Sequence, residues 1–342
     1  MSFVSGRASI IQSAVRRLRD GGLVAFPTET VYGLGADAFN TQAIERVFAL
    51  KGRPARNPLI VHVADEAMAR TVVAQWPPIA QQLALAFWPG PLSLVLPKSS
   101  AVPPIITGGG PNVALRCPNH PLTLELLRQF GRPLVGPSAN LSGSISPTTA
   151  DHVSLTFTPH DVLVLDGGPC RGGIESTVLL LTEHPPRILR PGLISAEQIT
   201  SITRTPIADF IPGLQAQDDI RDASPLASPG LLERHYAPAT PARLIDAPQL
   251  APALRTASTS NQRCIVLTHL PVPVPPPHRV EPLPHDARGY AAALYAALRS
   301  ADEQDADEIL ILRPTTPETS KDPAIWLAIL DRMHRATVRN RD

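Results

Sequence analysis

The chain is predicted to be an α/β protein with two domains. Short apolar runs alternate with amphipathic helical patterns over residues 1–200, as strands separated by helices do. The length, 342 residues, exceeds the roughly 100–200 residues of an ordinary single domain. A proline-rich, weakly periodic stretch at 204–240 separates that pattern from a second α/β pattern over 241–342.

The elements follow in chain order. Ser9 is expected to cap a first helix whose Ile10, Ile11, Ala14, Val15 and Leu18 share one face, with Gly21-Gly22 ending it. Its arginines and serines imitate a transit peptide, but the capped helix is the better reading. A buried strand at Leu23–Phe26 comes next, then a helix at Thr41–Leu50 and a strand at Leu59–Val63. Helices are expected at Asp65–Val73 and Pro78–Phe87, the second stopping before Trp88-Pro89-Gly90-Pro91. Strands at Ser93–Leu96, Val113–Arg116 and Leu134–Gly136 enclose a helix at Leu122–Phe130 that Gly131 closes. Val162–Asp166, Ser176–Leu181 and Pro186–Leu189 are consecutive strands, which makes the sheet mixed rather than parallel throughout. Residues 204–240 read as a semi-rigid linker that packs on something. In the second domain Cys264–Leu267 and Glu308–Leu312 are strands, Ala287–Ser300 and Pro323–Thr337 are helices, and Pro271–Pro277 is a loop.

Composition excludes several classes. Lys+Arg 31 against Asp+Glu 30 gives a net charge of +1, too little for a protein that coats nucleic acid. With 43% hydrophobic residues the chain can fill ordinary cores. Cys117, Cys170 and Cys264 form no CxxC pair, and the histidines show no ligand spacing, so neither a disulfide framework nor a zinc site is expected. No apolar run approaches the roughly 18 residues of a membrane span. A cytoplasmic location is expected.

Several loops carry chemistry-bearing residues at strand ends, where α/β sheets bind ligands. Thr28, Glu29, Thr30 and Tyr32 follow the first strand. Lys51, Arg53 and Arg56 lie between a helix end and Pro58, a rigid cation cluster suited to polyphosphate. His62 alternates with Ile60, Asn112 precedes a strand that ends on Arg116, and Arg190 ends another. Small polar loops occupy 136–143 and 146–151, and Asp166–Thr177 is glycine-rich. Each has an ordinary structural alternative: a polar turn, cations at a helix C-terminus, a packed strand histidine, a helix cap at Ser146 or Thr148. There is no GxxxxGK[ST], no GxGxxG entering a helix, no GxSxG, and no His–Asp set around Ser138. Together Lys51, Arg53, Arg116 and Arg190 with the hydroxyl loops describe a concave anion site without a side-chain nucleophile. Arg234-His235-Tyr236-Ala237-Pro238 and Ser228-Pro229-Gly230 are oddly specific for a linker and suggest docking over that site.

The segments PTETVYGLGADA (27–38), KGRPARNPLIVHV (51–63), WPGPLSLVL (88–96), LRCPNHP (115–121), PSANLSG with SPT (137–148), DGGPCRGGIESTV (166–178) and ILRPG (188–192) resemble the YrdC-like threonylcarbamoyl-AMP synthases, in family order. The linker and tail are similar to the long, two-domain form. The resemblance implies a twisted mixed-sheet YrdC-like catalytic domain at 1–203, an ordered linker or lid at 204–240, and a smaller Rossmann-like α/β domain at 241–342. It implies that L-threonine, bicarbonate and ATP, the last with Mg²⁺ bound through its phosphates, give threonylcarbamoyl-adenylate and pyrophosphate. A downstream tRNA threonylcarbamoyltransferase complex would use the adenylate. By position, Lys51 and Arg53 would be catalytic and would bind ATP with Asn57, Asn112, Ser138, Asn140, Ser146 and Arg190, and Tyr236 would cover the nucleotide. Thr30, His62, Arg116, Gly136 and Ser176 would hold threonine. Two stretches depart from the family: Leu231-Leu232-Glu233 replaces a Met-Lys-Tyr-like segment, and Lys321-Asp322-Pro323-Ala324 opens the last helix without glycines. Asp331-Arg332-Met333 and Arg335-Ala336 resemble the family ending. The alternatives are an RNA-binding, ribosome-associated module without ATP turnover, for which a weak RNA contact would be the trace, and a carbamoyl-transfer maturation protein. Three cysteines cannot supply the zinc fingers of the latter.

Overall fold

The computed structural model describes residues 2–210, 235–314 and 322–338. Ser228-Pro229-Gly230, Leu231-Leu232-Glu233, Arg234 and Lys321 lie outside the described residues. The first large unit contains helices α1 (Ser2–Arg19), α2 (Thr41–Lys51), α3 (Glu66–Ala69), α4 (Pro78–Phe87), α5 (Pro121–Phe130), α6 (Ala150–Ser154) and α7 (Ala196–Thr203). Its strands are β1 (Leu23–Phe26), β2 (Gly33–Asp37), β3 (Ile60–His62), β4 (Leu92–Pro97), β5 (Asn112–Arg116), β6 (Leu134–Val135), β7 (Val162–Val164), β8 (Thr177–Leu180) and β9 (Arg187–Arg190). They form one mixed sheet in the order β7-β1-β2-β6-β3-β5-β4-β8-β9.

Register in this sheet positions the site. β3 and β5 run parallel with His62 opposite Arg116, so the two side chains leave the sheet together. β8 and β9 are antiparallel with Val178 opposite Arg190, which brings Arg190 beside the loop entering β8. An isolated bridge joins Gly33 to Ser138. The strands are apolar and buried because helices cover the sheet: Ile11, Ala14 and Leu18 of α1 pack with Leu126 and Leu127 of α5 over Val24 and Phe26. Ile44 and Val47 of α2 pack with Leu34 and Val61.

The second unit has β10 (Ala242–Ile245), α8 (Ala247–Thr259), β11 (Cys264–Thr268), β12 (Arg279–Pro282), α9 (Ala287–Asp302), β13 (Glu308–Leu312) and α10 (Pro323–Thr337). Its strands are all parallel, in the order β10-β13-β11-β12. The core on one face continues across to the first unit: Val31, Ile145, Ile174 and Tyr236 pack with Tyr290, Tyr295, Trp326 and Met333. At Gly173, with φ +70°, an added Cβ would lie 2.2 Å from the Ala291 carbonyl oxygen. Only glycine allows that approach of loop to helix.

Several expectations need correcting. Ser9 is not a cap: α1 begins at Ser2, and the Ser9 carbonyl accepts the Ser13 hydroxyl at 3.0 Å inside the helix. No proline interrupts residues 2–8 to stop it. The helix expected over Asp65–Val73 is only Glu66–Ala69, because Thr71, Val72 and Val73 favour extended backbone. β2, α7, β10, α8 and β12 were not anticipated. The sequence GLGAD has no β-branched residue, yet pairing on both edges makes it a strand. Ser195 opens α7 through a capping box with Gln198. Thr149, rather than Ser146 or Thr148, caps α6.

Candidate active site

A cavity opens between the loops after β1, β3, β5 and β6 and the segments around 175, 190 and 235. Among its lining residues are Thr30, Arg53, His62, Arg116, Ser138 and Tyr236. Gly136, Ser176, Arg190 and Glu175 also line it. Two groups of contacts meet there.

The first group surrounds Arg116. Its Nη1 donates to Thr30 Oγ1 at 2.9 Å and its Nη2 to Glu29 Oε2 at 2.7 Å. Thr30 Oγ1 lies 2.9 Å from Thr28 Oγ1, so the guanidinium is fixed at two corners while its Nε has no partner. His62 is buried and its Nδ1 has no partner. Burial, reinforced by Arg116, lowers its pKa to about 3, so the ring is neutral at physiological pH. It is therefore a hydrogen-bonding imidazole rather than a cation. A Cβ at Gly136 would come within 2.6 Å of His62 Nδ1 and 2.7 Å of Phe26 Cζ, so only glycine leaves this part of the cavity open. Ser176 Oγ pairs with Ser93 Oγ at 2.8 Å.

The second group is cationic. Arg53 donates through Nε to the Asn57 carbonyl at 3.0 Å, and through Nη2 to Asn57 Oδ1 at 2.7 Å and the Pro58 carbonyl at 2.6 Å. Burial, with the like charge of Arg190, lowers Arg53 to about 9. Burial likewise lowers Arg190. Lys51 is lowered by burial and then by Arg53. Three buried cations held below their usual range gain stability from an incoming anion. Arg190 Nε and Nη2 reach the Ser176 carbonyl at 3.2 and 3.1 Å, joining the two groups.

Not every expected residue lines the cavity. Lys51 stands behind it and donates to the Ser138 carbonyl at 2.6 Å and to the Asn140 carbonyl. Asn57 is the bracket for Arg53. Ser146 is wholly buried and donates to Glu175 Oε1 at 2.7 Å. Asn140 lines a neighbouring pocket with Gly143, Ser144 and Ala237, its Nδ2 tied to the Leu141 and Ser144 carbonyls at 2.8 and 2.7 Å. Asn112 starts β5, paired opposite Pro97, about 13 Å along the strand from Arg116. It does not join the cavity.

His235 and Tyr236 close over this chamber. Tyr236 is 1% exposed and His235 6%. Their rings meet edge to face at 4.0 Å, and Tyr236 stacks on Tyr295 at 5.6 Å. Tyr236 adopts φ +62°. That region costs a bulky residue about 1–3 kcal/mol, and its hydroxyl has no partner. With the two rings in place the cavity holds only about 50 Å³. Small-molecule sites run to roughly 300–1,000 Å³, so a nucleotide needs the rings to shift.

Sequence reasoning did not single out Glu29 as the partner of Arg116 or Glu175 as a cavity residue, whereas the His235-Tyr236 pair does dock over the site as expected. The carboxylates stood inside the quoted loops, but nothing local marked which cation each would meet. None of the lining hydroxyls is hydrogen-bonded to a histidine or a carboxylate, so no side-chain nucleophile is activated here. Among the described residues no group of three or more His, Cys, Asp or Glu is placed to hold a metal, and no helix is long and apolar enough to cross a membrane.

Comparisons with known proteins bear on this site. The Sua5/YciO/YrdC family model, whose description reads telomere recombination, matches residues 16–192, and the model of the threonylcarbamoyl-AMP synthase C-terminal domain matches residues 194–338. The threonylcarbamoyl-AMP synthase of Bacillus subtilis is 40% identical over 332 residues, spanning 95% of this chain and 92% of its own. That of Pyrococcus abyssi is 45% identical over 240 residues, 70% of this chain and 68% of its own. The solved structure of Pyrococcus abyssi Sua5 complexed with L-threonine has a TM-score of 0.84 at 37% identity, covering 96% of this chain and 94% of that one.

Proposed function

The chain belongs to the threonylcarbamoyl-AMP synthase family in its two-domain form, and from that premise we propose that it condenses L-threonine, bicarbonate and ATP to threonylcarbamoyl-adenylate, pyrophosphate and water. It is an enzyme. The observation that carries the reading is the pairing, in one buried cavity, of a fixed Arg116–His62 corner with the Arg53–Arg190 cation group and no activated nucleophile.

In this reading the threonine carboxylate meets Arg116, whose buried Nε has no partner within the chain's described residues. Neutral His62 accepts a hydrogen bond from the amino acid at Nδ1, and Thr30, Ser176 and the Gly136 backbone close around it. A relative solved with L-threonine bound supports this half. Arg53 and Arg190 face the triphosphate, with Ser138 beside them. Lys51, Asn57 and Ser146 act from behind, on the 138–140 loop, on Arg53 and on Glu175. Mg²⁺ enters with ATP as part of the substrate. The carbamate of threonine and bicarbonate attacks the α-phosphorus through its oxygen, and the bond to the β-phosphate oxygen breaks. The chain contributes positioning and charge neutralisation, so no covalent enzyme intermediate is required. His235 and Tyr236 part to admit ATP and then cover the product, a mixed anhydride that water would hydrolyse. The adenylate then passes to a downstream tRNA threonylcarbamoyltransferase complex.

The test is mass spectrometry of a reaction holding ATP, Mg²⁺, L-threonine and ¹³C-bicarbonate. An adenylate carrying both threonine and the label is expected. AMP or ADP alone would refute the condensation.

A further inference from the structure

We propose that Arg332, in α10 of the second unit, is a positioning residue of the nucleotide side of the cavity, acting through Glu175. The inference rests on the reading of the Arg53–Arg190 group as the triphosphate site.

Glu175 is a carboxylate lining a site for a polyanion. Left to itself it would repel the phosphates and draw the neighbouring arginines onto its own charge. Its position prevents this. Oε1 accepts the Ser146 hydroxyl at 2.7 Å, and Oε2 accepts the Tyr295 hydroxyl and Arg332 Nε, both at 2.9 Å. Burial pushes the carboxyl up, but Arg332, then Arg190 and the Ser146 hydroxyl, outweigh it and hold it at about 2. Glu175 is therefore a fixed anion whose strongest partner comes from the second unit.

Arg332 itself is 0% exposed. Its Nη1 donates to Asp331 Oδ2 at 2.7 Å and its Nη2 to the Pro191 carbonyl at 3.0 Å. Its guanidinium carbon sits 5.5 Å from the Tyr236 ring centroid. Asp331 Oδ1 accepts Arg335 Nε at 3.0 Å, and the Arg335 carbonyl accepts the His235 N–H at 3.2 Å. One guanidinium thus gathers the Glu175 loop, the end of β9 one residue past Arg190, and the ring over the cavity. No residue of α10 lines the cavity. Its effect on the nucleotide runs through groups that do.

The test uses the full chain and four variants: Arg332→Met, Arg332→Lys, Glu175→Gln, and Arg332→Met with Glu175→Gln. Thermal unfolding is measured beside the KM for ATP and for threonine. Arg332→Met is expected to raise the ATP KM at least tenfold while the threonine KM stays within twofold. Arg332→Lys keeps the charge and loses the fork, so its ATP KM falls between. The double variant removes both charges and is expected to recover most of the loss in ATP KM, because no unpaired buried anion remains. If Arg332→Met does not fold, Arg332→Lys decides by the same split. An unchanged ATP KM, an equal shift in both KM values, or no recovery in the double variant would overturn the assignment. A folded wild type that never consumes ATP would instead overturn the nucleotide reading beneath it.

Discussion

Replacing Gly173 with alanine tests the seam between the two units. The new Cβ would lie 2.2 Å from the Ala291 carbonyl oxygen and 2.4 Å from Ala292 Cα. Both belong to the backbone of α9 and cannot swing aside. To reach an ordinary 3.4 Å contact the loop must retreat by 3.4 − 2.2, about 1.2 Å. Glu175 is two residues away and is held at 2.7–2.9 Å by Ser146, Tyr295 and Arg332. A retreat of that size breaks the bonds that cross the seam. Left-handed strain costs alanine about 1–2 kcal/mol and the collision about 1–3 kcal/mol more. Gly168→Ala is the control: φ is +78° there and nothing lies within 4 Å, so it carries the strain alone. Urea unfolding and initial rates of pyrophosphate release are measured for both variants. Gly173→Ala is expected to lose roughly 1–3 kcal/mol beyond the control and to raise the ATP KM about tenfold. Equal stabilities, or an ATP KM that matches wild type, would refute the reasoning.

Three further outcomes are expected. Arg116→Ala should raise the threonine KM more than the ATP KM, and should cost about 1.5–3 kcal/mol of stability by removing the charged donor to half-buried Glu29, which keeps the Asn119 N–H; equal effects on both KM values would remove Arg116 from the threonine side. Asn57→Ala deletes the Oδ1 acceptor of Arg53, worth about 1.5–3 kcal/mol for a charged donor, so the ATP KM should rise tenfold or more with threonine little affected, as steady-state kinetics would read. His62 and His235 both sit near pKa 3 in the folded protein against 6.5 unperturbed. The unfolded chain therefore takes up their protons first, and stability should fall as pH drops from about 6.5 toward 3, by up to about 1.4 kcal/mol per pH unit for each. Urea unfolding between pH 7.5 and 5 checks this, and His62→Gln should flatten the slope; an unchanged slope would contradict it.

How much of this the sequence disclosed depends on whether the signal was local. Leu23–Phe26 and Glu308–Leu312 are continuous apolar runs and fold as strands over the residues expected. Pro78–Phe87 and Pro323–Thr337 are bounded by prolines at their starts and match as helices. β2 was hidden because GLGAD is a strand only through its neighbours. In the site, Thr30, Arg53, His62, Arg116, Gly136, Ser138, Ser176, Arg190 and Tyr236 converge on one cavity. Lys51, Asn57 and Ser146 carried the same polar signature but turn toward carbonyls, a guanidinium and a carboxylate. Side-chain direction at a loop is set by contacts that composition does not record. Arg332 was the least legible, since its partner Glu175 lies 157 residues away.

The most direct measurement is pyrophosphate release from ATP and Mg²⁺ by the full chain, with and without L-threonine and bicarbonate. Release that requires both, with serine clearly poorer than threonine, is the expected result. Well-folded protein that releases no pyrophosphate in response to threonine would contradict the synthase, and RNA titration across salt would then be the next test.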